Sequence, residues 1–404
     1  MSTKYSGGVI KSSPVVPAGS YQNSSASGVW TLEQAGYWIK QGNWPTAGNL
    51  SPYGGLYSWG GNTNGQLGLG DTTNRSSPNQ VGALATWSSI SGRRFYSLAV
   101  KSNGTLWSWG QNNFGQLGLG NTTSYSSPKQ VGALTTWLNI AGGNYHALAT
   151  KTDGTLWSWG YGLSGRLGLG NTTSYSSPKQ VGALTTWSSI TASGAASLAT
   201  KTDGTLWSWG DNNGELGLGN TTSYSSPKQV GALTTWSKIT TGNTYTIAIK
   251  TDGTLWSWGT NGSGQLGLGN ITNYSSPKQV GALTTWSKIS AGQAHTVVIK
   301  TDGALWSWGQ NNFGQLGLGD ITNRSSPVQV GALTTWLSIA CGTYFSLATK
   351  TDGTLWSWGR NANGELGLGT SGTANYKSSP NQVGALTTWS KINGGYDWTL
   401  AILS

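Results

Sequence analysis

Twelve carboxylates are the residues with which this 404-residue chain could perform acid–base chemistry. Five of them, Asp153, Asp203, Asp252, Asp302 and Asp352, precede a glycine and read as turn residues. Glu33, Asp71, Asp211, Glu215, Asp320, Glu365 and Asp397 remain. Glycoside cleavage needs two carboxylates facing each other across one cleft. Asp211, Glu365 and Asp397 are the three that could approach one another, and no spacing marks a pair. Glu215 and Glu365 replace the Gln of a recurrent Gly-Gln-Leu-Gly and read as turn variants. His146 and His295 are the only histidines, too few for a multi-histidine metal centre. The single cysteine, Cys341, excludes an internal disulfide, and its neighbours predict a small buried residue. The cluster Gly65-Gln66-Leu67-Gly68-Leu69-Gly70 lacks the Lys-Ser/Thr of a phosphate loop, and no helix follows it. With no Ser-His-Asp or Cys-His constellation either, the residues predict a protein that is not an enzyme and holds no cofactor or metal.

The elements that position these residues are repeats. Leu-Trp-Ser-Trp-Gly or its Tyr variant begins at Leu56, Leu106, Leu156, Leu206, Leu255, Leu305 and Leu355, copies about 50 residues apart. A period of this size marks a propeller, solenoid or array. Within the unit Gly154 to Asp203, Thr155–Trp159 is short, aromatic and bounded by glycine, which predicts a strand. Gln180-Val181 with Leu184 predicts a second, Trp187–Ile190 a third and Ala196–Lys201 a fourth. The Asp-Gly or Asn-Gly between the fourth strand and the next Leu-Trp-Ser-Trp-Gly predicts a tight hairpin. Four strands per copy make one propeller blade. The first copy lacks the strand that should precede Leu56, and Thr399–Leu403 is a strand with no successor. Pairing the two orphans closes a ring of seven blades with no open edge.

Gly-x-Leu-Trp-Ser-Trp-Gly, Gly-Gln-Leu-Gly-Leu-Gly, Pro-x-Gln-Val and a later Ile-x-x-Gly resemble the repeat of the regulator of chromosome condensation family. The resemblance covers about residues 55 to 404 and implies an all-β, seven-bladed β-propeller, a fold shared with the propeller-type beta-lactamase inhibitor protein. The family's nucleotide-exchange activity does not transfer to any residue here, because the chain shows no distinctive wedge or basic tail. The expected organisation is an arm over residues 1–50 and a propeller over residues 51–404.

The formal charge is +11, yet only 9% of residues are charged. Lys101, Lys151, Lys201, Lys250, Lys300 and Lys350 recur beside the hairpin turns, with a second series at Lys129, Lys179, Lys228 and Lys278. This is a dilute ring rather than a dense patch; it predicts a solvated rim, and nucleic acid is not the expected partner. The 24 tryptophans are evenly repeated and predict core. No run of 18 apolar residues exists to span a membrane, and the beginning of the chain shows no apolar core of signal-peptide type.

Two segments vary while the frame repeats. One follows Trp-Gly and includes Phe114, Tyr161, Phe313 and Arg360. The other follows Ile-x-x and includes Arg93, Arg94, Phe95, Tyr96, Tyr145, His146, Tyr245, His295, Tyr344, Phe345, Tyr396, Asp397 and Trp398. Hairpin geometry puts both at the end away from the Asp-Gly turns, so they gather on one face of the ring. That mixture is enriched in recognition surfaces and predicts ligand binding there.

Residues 1–50 lie outside the repeat. Thr31 with Gln34 fits a capping box, and Leu32, Ala35 and Ile39 share a helical stripe, predicting a short helix that ends at Gly42. Ser25-x-x-Gly28-x-Trp30-Thr31-Leu32, followed by Trp44-Pro45, resembles a stretch found in structural proteins of tailed phages. That resemblance implies a virion protein, assembled in the host cytoplasm and carried on tail, fibre or capsid. Trp30, Leu32, Trp38, Ile39 and Trp44 would anchor it to other virion proteins, while the propeller face bound a host-surface glycan or protein. The alternative is a cellular propeller that binds or inhibits a partner protein.

Overall fold

The hairpin turn is the smallest piece that folds by its own chemistry. In one copy Asp203 Oδ1 accepts the Thr205 N–H at 2.9 Å and the Thr205 hydroxyl at 2.7 Å, and Thr205 Oγ1 accepts the Trp207 indole N–H at 2.9 Å. Gly204 takes φ +78°, the left-handed region this turn demands. The turn joins Ala196–Lys201 to Leu206–Gly210 in antiparallel register, from Ala196↔Gly210 to Thr200↔Leu206. Trp187–Ala192 and Tyr224–Gln229 complete the sheet on either side. In the computed structural model the described residues are Lys4–Tyr5, Gly8–Val9, 55–82 and 86–403.

The second strand of each copy lies elsewhere than the sequence suggests. It is Tyr175–Gln180, Tyr224–Gln229 and their equivalents, and it contains the Ser-Ser-Pro. It is the outermost strand of its sheet, hydrogen-bonded on one side only, so the missing proline N–H leaves no ladder bond unmade. Leu184 is not in the strand; it sits in the following turn and is 48% exposed.

Seven such sheets form the propeller. Six are built from consecutive strands, and the seventh takes Trp389–Gly394, Trp398–Leu403, Leu56–Gly60 and Arg75–Gln80. Its seam is continuous: Leu56↔Ile402, Ser58↔Leu400 and Gly60↔Trp398 are in register. The ring closes by pairing the two orphan strands, as the repeat implied. The innermost strand of each blade begins at a tryptophan, Trp87, Trp137, Trp187 and so on, and neighbouring innermost strands surround the axis.

Blades are locked by a hook. The second tryptophan of each Trp-Ser-Trp is wholly buried and donates its indole N–H to a carbonyl of the preceding blade: Trp159 to Gln116 O at 2.9 Å, Trp209 to Arg166 O at 3.0 Å, and Trp59 to Glu365 O at 3.0 Å across the seam. The Gly-Gln-Leu-Gly loop that supplies this carbonyl lies against the ring. A Cβ at Gly118 would come within 2.8 Å of Trp159 Nε1, and its φ is +73°. The glycine cluster is therefore a clamp, consistent with its lack of phosphate-loop residues.

The lysines beside the hairpins do more than hydrate a rim. Lys151 Nζ lies 3.7 Å from the Trp157 ring centroid and 5.0 Å from that of Trp137, and Lys101, Lys201, Lys250, Lys300 and Lys350 repeat the arrangement. A cation over two indole faces ties the innermost strand to the third strand of the same blade. Burial pushes the Lys151 and Lys250 ammonium groups below the usual lysine range, opposed by Asp153 and Asp252.

The chain divides into two compact units, Met1–Tyr53 and Gly54–Ser404. In the first, Lys4–Tyr5 pairs antiparallel with Gly8–Val9. The expected helix and the anchoring residues Trp30, Leu32, Trp38, Ile39 and Trp44 lie outside the described residues. Among the described residues, no helix is long and apolar enough to cross a membrane.

Candidate recognition face

The variable segments meet at the end of the blades remote from the Asp-Gly turns. From Tyr396 to Arg166 their side chains form one unbroken track. Tyr396 packs on Phe95 with centroids 5.6 Å apart. The Arg94 guanidinium lies 5.3 Å from the Phe95 centroid and 4.9 Å from that of Tyr145. Tyr145 meets Phe114 at 5.0 Å, Phe114 meets Tyr161 at 4.4 Å, and Arg166 caps Tyr161 at 5.0 Å. Residues from three successive blades thus build one aromatic and cationic surface. Phe95, Phe114, Tyr145 and Tyr161 are each partly exposed, and Tyr396 is 37% exposed.

A second aromatic patch joins two other blades. Phe313 packs against Tyr344 at 5.0 Å and Tyr376 at 5.6 Å. Across the seam lies a polar cluster. Arg360 approaches Glu365 at 3.4 Å, and Asn363 Nδ2 donates to Asp397 Oδ2 at 2.7 Å. Burial raises both carboxyls, with Arg360 acting against the rise. Asn363 links Asp397 to Glu365, its backbone N–H donating to Glu365 Oε2 at 2.7 Å, but Glu365 is wholly buried and beyond a substrate's reach. Asp211 belongs to a different blade, where it accepts from Ser223 at 3.2 Å.

Six of the expected ligand contacts are corrected. Tyr96, His146, Tyr245, His295, Phe345 and Trp398 are at most 1% exposed and face the gap between blades. Each is the last residue of its variable segment and the first of its strand, and the strand's alternation turns it inward. There they bond rather than bind: Tyr96 donates its hydroxyl to His146 O, Tyr245 to His295 O, and Trp398 its indole N–H to Arg94 O at 3.0 Å. His146 Nε2 lies 2.9 Å from Ser197 Oγ, whose own proton goes to Arg166 O. His146 Nε2 therefore donates, and the bare Nδ1 has no partner. Burial, reinforced by Arg166 and Arg93, drives its pKa well below the usual histidine value. His295 repeats the arrangement with Ser346 and is lowered by burial to about 3. Both rings are neutral packing units. Cys341 is buried as expected, and that burial raises its thiol to about 12.

Sequence reading overlooked Arg166 and Tyr376. Arg166 replaces the Gln of the clamp, and comparing that position between copies would have found it. Tyr376 lies in the insertion of the last copy, which has no counterpart to compare. Among the described residues no group of three or more His, Cys, Asp or Glu could hold a metal ion.

At the axis the face opens into a cavity of about 220 Å³ lined by Arg93, Arg94, Asn144, Asn243, Gln293, Thr343 and Tyr396. The Arg93 guanidinium reaches the opposite wall, donating to Gly242 O at 2.8 Å and Thr241 O at 3.3 Å. It also borders a smaller axial cavity of about 120 Å³ among the innermost strands.

Residues 182–404 match the RCC1-like domain, and residues 53–100, 103–150 and 153–200 match the regulator of chromosome condensation (RCC1) repeat. The chain belongs to the RCC1-like family. Solved propellers show the same fold. Prp20p of Saccharomyces cerevisiae, whose structure was described with its binding to Gsp1p and histones, superposes with a TM-score of 0.76 at 19% identity over 86% of this chain and 90% of its own. The yeast RCC1 (Prp20) bound to Kap60 gives 0.77 at 19% over 87% and 89%, and human WBSCR16 gives 0.77 at 19% over 87% and 98%. No curated protein matches the sequence. At this identity the shared property is the RCC1-like fold.

Proposed function

We propose that this RCC1-like propeller is a non-enzymatic binding module that recognises a partner protein across the face carrying the variable segments. The observation that carries the reading is the track from Tyr396 through Arg94 and Tyr145 to Arg166. Tyrosine and arginine give large contact area with few rotatable bonds, and they dominate interface energetics. The opposite face repeats one turn. The structural neighbours named for Gsp1p, histones and Kap60 are themselves binders of proteins, which supports this choice over catalysis.

The test is capture of partners from cells of the source organism by the full chain, by a Phe114→Ala/Tyr161→Ala variant and by a Lys129→Gln/Lys179→Gln variant on the outermost strands. Each variant must keep its thermal transition. The reading expects the first variant to lose a specific partner that the second retains. Equal capture by both, or no specific partner at all, overturns it.

A second reading is a phage virion protein held on the particle by residues 1–50, with a host-surface glycan or protein as ligand. It is supported by the Ser25–Pro45 resemblance. Removing residues 1–50 should abolish incorporation into particles while leaving the propeller's ligand binding intact; incorporation of the shortened chain would refute it.

A further inference from the structure

The axial cavity collects cationic donors and no acids. Two arginines line it, and the remaining walls are amides, a threonine, a tyrosine, Cys341 and glycine backbone. The ion pairs among the described residues are Arg75–Asp71, Arg324–Asp320 and Arg360–Glu365, so neither Arg93 nor Arg94 has a carboxylate partner. Arg93 spends two of its donors on carbonyls of the opposite wall. Among the described residues Arg94 makes no hydrogen bond through its guanidinium, and its Nε is buried without a partner there. Its charge is held by ring faces alone. Arg94 is half-buried and only its Nε is closed off, so its terminal nitrogens keep donors free for an anion.

The rim is also prepared. Three of its backbone N–H groups are consumed by inter-blade bonds, Asn243 N to Gln293 O at 3.3 Å, Gln293 N to Thr343 O at 3.2 Å and Thr343 N to Gly395 O at 3.2 Å. These bonds tie neighbouring loops together, while the side-chain amides of Asn144, Asn243 and Gln293 make no hydrogen bond with the described residues. Amide donors therefore surround the two arginines at the axis.

We propose that the axial mouth is an oxyanion-binding site, in which Arg93 and Arg94 hold a carboxylate or phosphate group and the amides of Asn144, Asn243 and Gln293 complete its shell. The planar arginine fork matches both anions. A volume of about 220 Å³ admits one anionic group with a few attached atoms and excludes a folded element. The oxyanion has two sources: a small free anion, or the acidic side chain or terminal carboxylate of a bound protein. The second rests on the binding function proposed above.

The test is calorimetric titration of the full chain with citrate, with inorganic phosphate and with a short peptide ending in Glu, each at constant ionic strength. The proposal expects saturable binding of at least one probe. Arg94→Gln should weaken it by about tenfold or more, the loss expected for a charge-assisted contact. Arg93→Lys keeps the charge but loses the fork and should also weaken it, while Lys129→Gln should not. Arg94→Gln leaves intact the backbone carbonyl that accepts from Trp398, so its fold is retained. Binding of the peptide but not of its C-terminal amide assigns the partner source; binding of citrate or phosphate assigns the free anion. No saturable binding by any probe, or binding unchanged in both arginine variants, overturns the proposal. The titrations need no partner protein, so this failure is distinct from failure of the Phe114→Ala/Tyr161→Ala capture experiment.

Discussion

Replacing His295 by Phe should remove an acid sensitivity whose size follows from the structure. The ring is wholly buried, and its Nε2 faces a hydroxyl whose proton is already committed to Gln315 O. Burial lowers its pKa from 6.5 to about 3. The unfolded ring takes up a proton as pH falls below 6.5, and the folded ring does not until about 3. Protons therefore favour the unfolded chain throughout that window, and stability falls as pH falls. At about pH 4.5, roughly two units below the unfolded value, the loss is about 3 kcal/mol at about 1.4 kcal/mol per unit. Phe345 occupies the same place in the next blade, so Phe fits the site. Urea unfolding of wild type and His295→Phe at about pH 7.5 and about pH 4.5 measures the effect. The stability difference between the two chains should shift by about 3 kcal/mol in favour of the variant at the lower pH. Other titrating groups are common to both chains and cancel. A difference that moves by less than about 1 kcal/mol would show that His295 is not held neutral and would refute the reasoning.

Glu215 works in the opposite direction: burial raises its carboxyl from 4.5 to about 7, so wild type loses stability as pH rises through that interval. Gln stands at this place in other copies with the same backbone bond, Gln116 Oε1 accepting the Phe114 N–H at 2.9 Å. Glu215→Gln should therefore stabilise the protein by up to about 3 kcal/mol at about pH 8 and by little at about pH 5, measured by urea unfolding. Trp398→Ala removes a wholly buried ring from the seam and should cost about 3–5 kcal/mol in the same assay.

Much of the fold was legible because repetition turns weak local signals into a strong one. Seven Leu-Trp-Ser-Trp-Gly copies, the Asp-Gly hairpins and the two orphan strands sufficed to set blade number and closure. The outermost strand was not legible, since Ser-Ser-Pro reads as loop until its one-sided pairing is known. The face was legible as a region but not residue by residue. Tyr145 and His146 are adjacent and equally variable in type, yet one lies on the track and the other in the inter-blade gap. That split depends on where the strand begins, which is the least determined feature of a sequence pattern. The axial cavity was not legible at all. Arg93 and Arg94 read as two cations, and only the ring places one across the axis and the other between Phe95 and Tyr145.

The seam gives the propeller an unusual mechanical character. Leu56–Gly60 and Trp398–Leu403 are the two central strands of their sheet, each flanked on both sides. Antiparallel pairing sets Leu56 opposite Ile402, so the chain enters and leaves this ladder at the same end, and a force drawing those two ends apart opens it like a zipper. The ladder bonds from Leu56↔Ile402 to Gly60↔Trp398 then bear load in turn, with the Trp59 hook onto Glu365 behind them. Tension between the two ends should therefore open the seam bond by bond from Leu56, whereas pulling either strand alone must strip it from neighbours on both sides.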